Sequence, residues 1–77
     1  HPRETYRMAI LKGVYSIIVC HTHPSGNIEP SDNDTKIMTQ LKQAGEIIGI
    51  TLLDSLIIGK SDSSPEYFCS FKERGLL

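Results

Sequence analysis

Disulfide-forming capacity is scarce in this chain. Its 77 residues hold only two cysteines, Cys20 and Cys69, too few for the framework of bridges that staples small secreted domains. The expectation is a reducing, cytoplasmic setting in which both thiols serve as small buried apolar groups. Long apolar runs are absent as well. The stretch Ile17 to Cys20 falls far short of a membrane span, and the chain does not open with a charged start leading into an apolar stretch and a cleavage site. Neither a membrane anchor nor an export signal is expected. Surplus charge is missing too: eight Lys plus Arg against nine Asp plus Glu give a formal net charge of -1. Direct binding to nucleic acid or to an anionic membrane is therefore disfavoured. No internal repeat, low-complexity tract or linker divides the chain.

What remains is ordinary globular composition, 39% hydrophobic and 22% charged, in a length that supports one small core. A domain of this size buries only about 60% of its unfolded surface. Its stability is marginal unless a metal, a partner or further sequence contributes.

The periodicities predict the order α-β-α-β-β. Residues 3–12 read as a helix, with Pro2 suited to the first turn, Tyr6, Ala9 and Ile10 at helical spacing, and Gly13 ending it. Residues 15–23 are β-rich and apolar, with Ile17, Ile18 and Val19 adjacent, which predicts a strand buried on both faces. A turn-rich loop, Pro24-Ser25-Gly26-Asn27, leads to Pro30-Ser31 and a second helix over 31–48. There Ile37, Met38, Leu41, Ala44 and Ile48 form one apolar stripe, and Gly49 caps the end. Residues 51–58 read as a strand, 59–65 as a polar loop, 66–71 as a strand returning antiparallel, and 72–77 as a tail.

The chemistry concentrates around His21, His23, Ser31 and Asp34. Side chains on a strand alternate, so His21 and His23 leave the same face roughly 6.5–7 Å apart, workable for two imidazoles on one ion. Cys20 points the other way and is left out of that set despite the affinity of zinc for sulfur. Asp34 precedes Leu41 by two helical turns and so tops the core-facing stripe. An unpaired carboxylate there would cost several kcal/mol, and a divalent cation held by two neutral imidazoles removes that cost. Two His and one carboxylate leave a coordination position for water, as in catalytic zinc sites. Ser31, at the helix N-terminus, could stabilise an oxyanion forming on a substrate carbonyl. Each feature alone has a plainer reading. The histidines alone suit a solvated or hydrogen-bonded pair, and the segment from Ser31 to Asp34 suits a helix N-cap, a job Ser31 can hold alongside the other. Asp54, interrupting an apolar strand, reads as a hydrogen-bonded structural aspartate.

Jointly, His21-Thr22-His23, seven intervening residues, Ser31, two more and Asp34 match the H-x-H-x7-S-x2-D signature of the JAMM, or MPN-plus, metalloproteases. His1-Pro2-Arg3-Glu4, His23-Pro24-Ser25-Gly26 with Pro30-Ser31, Leu53-Asp54, and the closing segment from Ser70 to Leu77 resemble the bacterial RadC family from end to end. The resemblance implies a mixed-sheet α/β domain of the MPN/JAMM (cytidine-deaminase-like) kind. His21, His23 and Asp34 would be its Zn2+ ligands, with Ser31 assisting at the oxyanion. It further implies a peptide or isopeptide substrate attacked by a zinc-activated water. The glutamate that accepts the water's proton lies upstream of the histidines in that family, and Glu4 does not match its position.

On that resemblance, residues 1–77 form the C-terminal portion of such a domain, incomplete at its N-terminus and expected to bind metal with little or no turnover. A sheet edge exposed in this way would favour homodimerisation. Ser55 departs from the family pattern, which usually has His after the Asp of the Leu-Asp pair. The competing functions are a DNA-repair-associated module and a metal-free MPN-type scaffold that binds a protein partner.

Overall fold

In a computed structural model, residues 2–59 and 68–77 are described. Five elements follow the expected order: α1 (Pro2–Lys12), β1 (Ser16–His21), α2 (Asp32–Ile48), β2 (Thr51–Ile58) and β3 (Phe68–Ser70). The sheet has the order β1-β2-β3, with β1 and β2 parallel and β2 and β3 antiparallel. A parallel pair needs a crossover, and α2 supplies it. This is a small α/β fold with a mixed sheet, as the sequence predicted. Among the described residues no helix is long and apolar enough to cross a membrane.

Each helix stops for a local reason. Gly13, with φ +66°, follows α1. Gly49 follows α2 in the left-handed region at φ 79°, and its N–H donates to the Gly45 carbonyl, the geometry that favours glycine at this position. The two helices meet at Tyr6, buried in the core, whose hydroxyl donates to the Leu41 carbonyl at 2.7 Å. Gly45 makes the crossing feasible. A methyl group there would run into the Ile50 carbonyl and the Tyr6 hydroxyl, so this helix tolerates a poor helix former in exchange for close approach.

The core gathers Tyr6, Ala9, Met38, Leu41, Leu52, Ile57 and Phe71 on one side of the sheet. That corrects the expectation for the first strand. It ends at His21, with His23 in the loop beyond, and its residues alternate between exposed Ser16, Ile18 and Cys20 and partly buried Ile17, Val19 and His21. The burial is one-sided because both described helices share one layer. Cys20 is accordingly exposed, and only Cys69 is the buried thiol that was expected of both. On α2, Met38 and Leu41 are buried and Ala44 packs on the core, but Ile37 and Ile48, at the margins of the stripe, are 37% and 46% exposed.

The returning strand is shorter than expected. Phe71 lies beyond it, fully buried, and the first two residues of the expected strand lie outside the described set. Most of the expected loop over 59–65 also falls outside it. Nor do residues 72–77 form a loose tail. Leu76 N donates to the Phe71 carbonyl at 2.9 Å, and Leu76 and Leu77 pack against the core.

Between Ile17 and Ile18 the register of β1 on β2 slips, pairing Ile17 with Leu52 and Ile18 with Asp54, so that Leu53 is the extra residue of a bulge. A bulge of one residue resets the alternation, and beyond it Ser55 and Ile57 face the core, each 0% exposed. Asp54 is the structural acceptor that its setting suggested. Its Oδ1 accepts from Ser55 N at 2.7 Å and Lys72 N at 3.0 Å, and its Oδ2 from the Ser70 hydroxyl. Ser70 Oγ accepts in turn from Glu73 N at 3.1 Å, so one carboxylate ties β2 to the C-terminal turn. Burial pushes the Asp54 carboxyl up, but these hydrogen bonds and the Lys72 charge together hold it below the usual carboxylate range.

Asp54→Ala should therefore cost about 1–3 kcal/mol in urea denaturation near neutral pH, because two backbone donors lose their acceptor. A depressed folded pKa contributes stability above the unfolded value of about 3.9 and loses it as pH falls through the folded value. The stability gap between wild type and Asp54→Asn should thus close on acidification. A gap that persists unchanged to about pH 2 would contradict the assignment.

Candidate metal centre

His21 is the last residue of β1, and Asp34 lies in the first turn of α2. In a strand–helix–strand unit these two ends fall on the same side of the sheet. The helix start is built by a reciprocal cap. Ser31, extended at φ -84° and ψ 164°, accepts from Asp34 N on its Oγ at 3.0 Å, and its own N–H donates to Asp34 Oδ2 at 2.9 Å. This is the capping-box logic with a shorter acid in the third position. Two helix donors are satisfied and the Asp34 carboxylate is fixed in place by the same contacts.

That carboxylate faces both histidines. His23 Nε2 lies 2.9 Å from Asp34 Oδ2 and His21 Nε2 lies 3.7 Å from Asp34 Oδ1, with the imidazole centroids 5.5 Å apart. Each of the three residues offers a ligand atom within 4.8 Å of the others. Among the described residues no other His, Cys, Asp or Glu completes such a group. The three side chains are 16–29% exposed, half-sheltered rather than enclosed.

Two observations test whether a cation fits. His21 Nε2 is buried and has no hydrogen-bond partner among the described residues, an orphan that normally carries a free-energy penalty. His23 Nδ1 lies 2.9 Å from the Asn27 carbonyl. A carbonyl only accepts, so the network assigns the proton to Nδ1. A proton on Nε2 makes its contact with Asp34 a hydrogen bond, and with Nε2 unprotonated a cation shared by the nitrogen and the carboxylate satisfies both. Tetrahedral ligands at zinc distances sit about 3.3 Å from one another, and the observed 2.9 and 3.7 Å bracket that value. The residues present fit a divalent ion.

The loop that carries His23 is tied down from both ends. Gly26 N donates to the His23 carbonyl at 2.9 Å, Asn27 N to Ser25 Oγ at 3.2 Å, and Glu29 N to Asn27 Oδ1 at 2.9 Å. Arg74 then grips Glu29 with two guanidinium nitrogens at 2.8 and 3.1 Å, and this pairing holds the Glu29 carboxyl below its ordinary value. For Asp34, burial pushes the carboxyl up, but the hydrogen bonds from Ser31 and the His23 contact together outweigh it and the net direction is down.

The residues singled out from the sequence therefore meet. His21, His23 and Asp34 converge and Ser31 caps the helix beside them, while Cys20 is exposed on the opposite sheet face. Glu4 is a surface residue paired loosely with Arg3 and Arg7, away from this group. Ser55 is wholly buried and outside the cluster, its hydroxyl without a hydrogen-bond partner among the described residues. The Asn27 carbonyl and the Arg74–Glu29 pair went unforeseen. A backbone carbonyl leaves no residue-type signal, and a contact spanning 45 residues leaves no local one.

Ser31→Ala removes the side-chain acceptor of Asp34 N and should destabilise the protein by about 1 kcal/mol in chemical denaturation, with Ser31→Asn recovering most of the loss. An Ala variant as stable as wild type would contradict the cap.

Comparison with known proteins gives this geometry a lineage. The RadC-like JAB domain family matches residues 1–76. The UPF0758 protein of Clostridium beijerinckii is 49% identical over 77 residues, covering 100% of this chain and 31% of that protein. The UPF0758 protein of Chlorobium chlorochromatii is 48% identical, covering 100% and 32%. The UPF0758 protein STH371 of Symbiobacterium thermophilum is 44% identical, covering 100% and 31%. The chain thus spans about a third of the length of the relatives it matches. A match running from the helix before the sheet to the turn after it, through the His–His–Asp cluster, makes the chain a member of the RadC-like JAB domain family.

Proposed function

We propose that this chain carries the metal-binding part of a zinc-dependent hydrolase of the JAMM type, acting on a peptide or isopeptide bond. The observation that carries this reading is the orphaned His21 Nε2, buried and aimed at the same carboxylate that His23 contacts. Zinc held by His21, His23 and Asp34 would supply Lewis acidity and a water able to lose its proton near neutral pH.

The chain's own residues then have distinct tasks. Asp34 offers the anionic donor, kept ionised by Ser31 and by the start of α2. The Asn27 carbonyl orients the His23 ring by accepting from Nδ1, so that Nε2 would be the nitrogen to hold the ion. Ser31 uses an Oγ lone pair for the cap, so its O–H remains available to donate to the oxyanion that develops as a carbonyl is attacked. The acceptor of the water's proton would be a further carboxylate. None besides Asp34 joins the cluster among the described residues, and we assign that role to the upstream glutamate that the family resemblance implies. These 77 residues alone should bind metal with little or no turnover.

The metal-free scaffold reading is weakened by the convergence of three ligand-competent groups, one of them a buried nitrogen without a hydrogen-bond partner among the described residues, because such a group left unpaired costs free energy. Direct DNA contact is weakened by the net charge of -1.

Purified protein should take up about one zinc per chain, and His21→Ala less than roughly a tenth of that. Uptake should fall on acidification, since each imidazole must present an unprotonated nitrogen to the ion. Uptake below a tenth in wild type, unchanged in His21→Ala, would reject the metal centre. Zinc-dependent peptidase activity from this chain alone would reject the missing base.

A further inference from the structure

We propose that the cavity beside this centre, between α1, β1 and α2, is a subsite for one branched aliphatic side chain of the substrate, next to the bond to be cleaved. The proposal rests on the hydrolase reading above and adds a substrate class to it. The cavity has a volume of about 240 Å³ and is lined by Val19, Ile37, Met38 and Leu41, with Thr5 from α1 and with His21 and Asp34 themselves.

Its layout follows from chain direction. β1 runs towards His21, and α2 starts near Asp34 and runs back, so His21 and Asp34 mark one end while Val19 and Leu41 lie further in. From Asp34 to Leu41 is roughly 10 Å along the helix, and from His21 to Val19 roughly 6.5 Å along the strand. His21 and Asp34 thus mark a polar end, and apart from Thr5 the remaining walls are apolar, the division of labour expected of a ligand pocket. Because His21 and Asp34 belong to both the cavity and the cluster, an occupant of the cavity necessarily abuts the centre.

Size selects the occupant. A dry cavity of about 150 Å³ accommodates benzene, so this one admits a Leu, Ile or Val side chain with room to spare. Pockets for whole drug-sized ligands begin at about 300 Å³, so it suits one side chain rather than several. Charge narrows the choice further. An acidic group would face the Asp34 carboxylate, and a basic one would compete with His23 and Ser31 N–H for it. Ile37 contributes to the wall while remaining 37% exposed, an apolar side chain beside the centre that the described residues leave incompletely covered.

The experiment is a titration of N-acetyl-leucine N-methylamide, with its glycine and aspartate counterparts, into metal-free and zinc-loaded protein. Methyl resonances of Val19, Ile37, Met38 and Leu41 report binding, and zinc content is measured in parallel. The leucine compound should saturate these methyl shifts and bind roughly ten- to a hundredfold more tightly than the glycine compound. Ile37→Trp, which fills the cavity, should abolish that preference with zinc content unchanged. Ile37→Lys, at a position open enough to tolerate a lysine, should do the same. Normal zinc uptake with equal affinity for leucine and glycine compounds, or a preference that survives both variants, overturns the subsite alone. A leucine preference in protein that takes up no zinc supports the apolar pocket and overturns the hydrolase reading.

Discussion

The Asp34 carboxylate is held from three directions, and the site exists because of how that one charge is satisfied. Moving a carboxylate partly out of water costs free energy that only good partners offset. Ser31 N–H, the exposed N–H groups of the first helical turn and His23 supply them. The capping contact runs both ways, so the residue that starts α2 also stops the carboxylate from turning outward. A conventional cap would do as much for the helix. What sets this one apart is the second imidazole, His21, with a buried nitrogen that no group among the described residues satisfies.

Topology brings the three groups together and a distant part of the chain keeps them there. The β1-α2-β2 crossover puts the tip of one strand beside the start of the next helix. The loop between them carries His23 and is anchored by Arg74 through Glu29. Arg74 belongs to the turn that Phe71, Leu76 and Leu77 fasten to the core and that Asp54 fastens to β2. An exposed ion pair contributes little on its own, on the order of 0–1 kcal/mol. Here its importance is geometric, since it restrains the loop whose carbonyl orients an imidazole.

Much of this was legible from residue order. Helical spacing from Met38 to Ala44, the Ser31 cap and Gly49 located α2 almost to the residue, and β2 matched its predicted span over 51–58. The strand and helical periods placed His21 and Asp34, whereas His23 lies past the end of β1 and joins them from the loop. Layering was not legible. Ile17, Ile18 and Val19 in succession suggest burial on both faces, but a run of apolar residues does not say how many layers of helix cover a sheet, and Ile18 is 55% exposed. The same blindness misplaced Cys20. The bulge at Leu53, the close approach at Gly45 and the returning turn at 72–77 each depend on tertiary neighbours that no local pattern encodes.

The most direct test of the shared-ion account is crystallography of the protein grown with zinc, using anomalous scattering on either side of the zinc edge. The account predicts one strong anomalous peak about 2.0–2.2 Å from His21 Nε2, His23 Nε2 and an Asp34 carboxylate oxygen, with Nδ1 of His23 still bonded to the Asn27 carbonyl. No peak there at saturating zinc, or a peak held by other residues while His23 stays on Asp34, would contradict it.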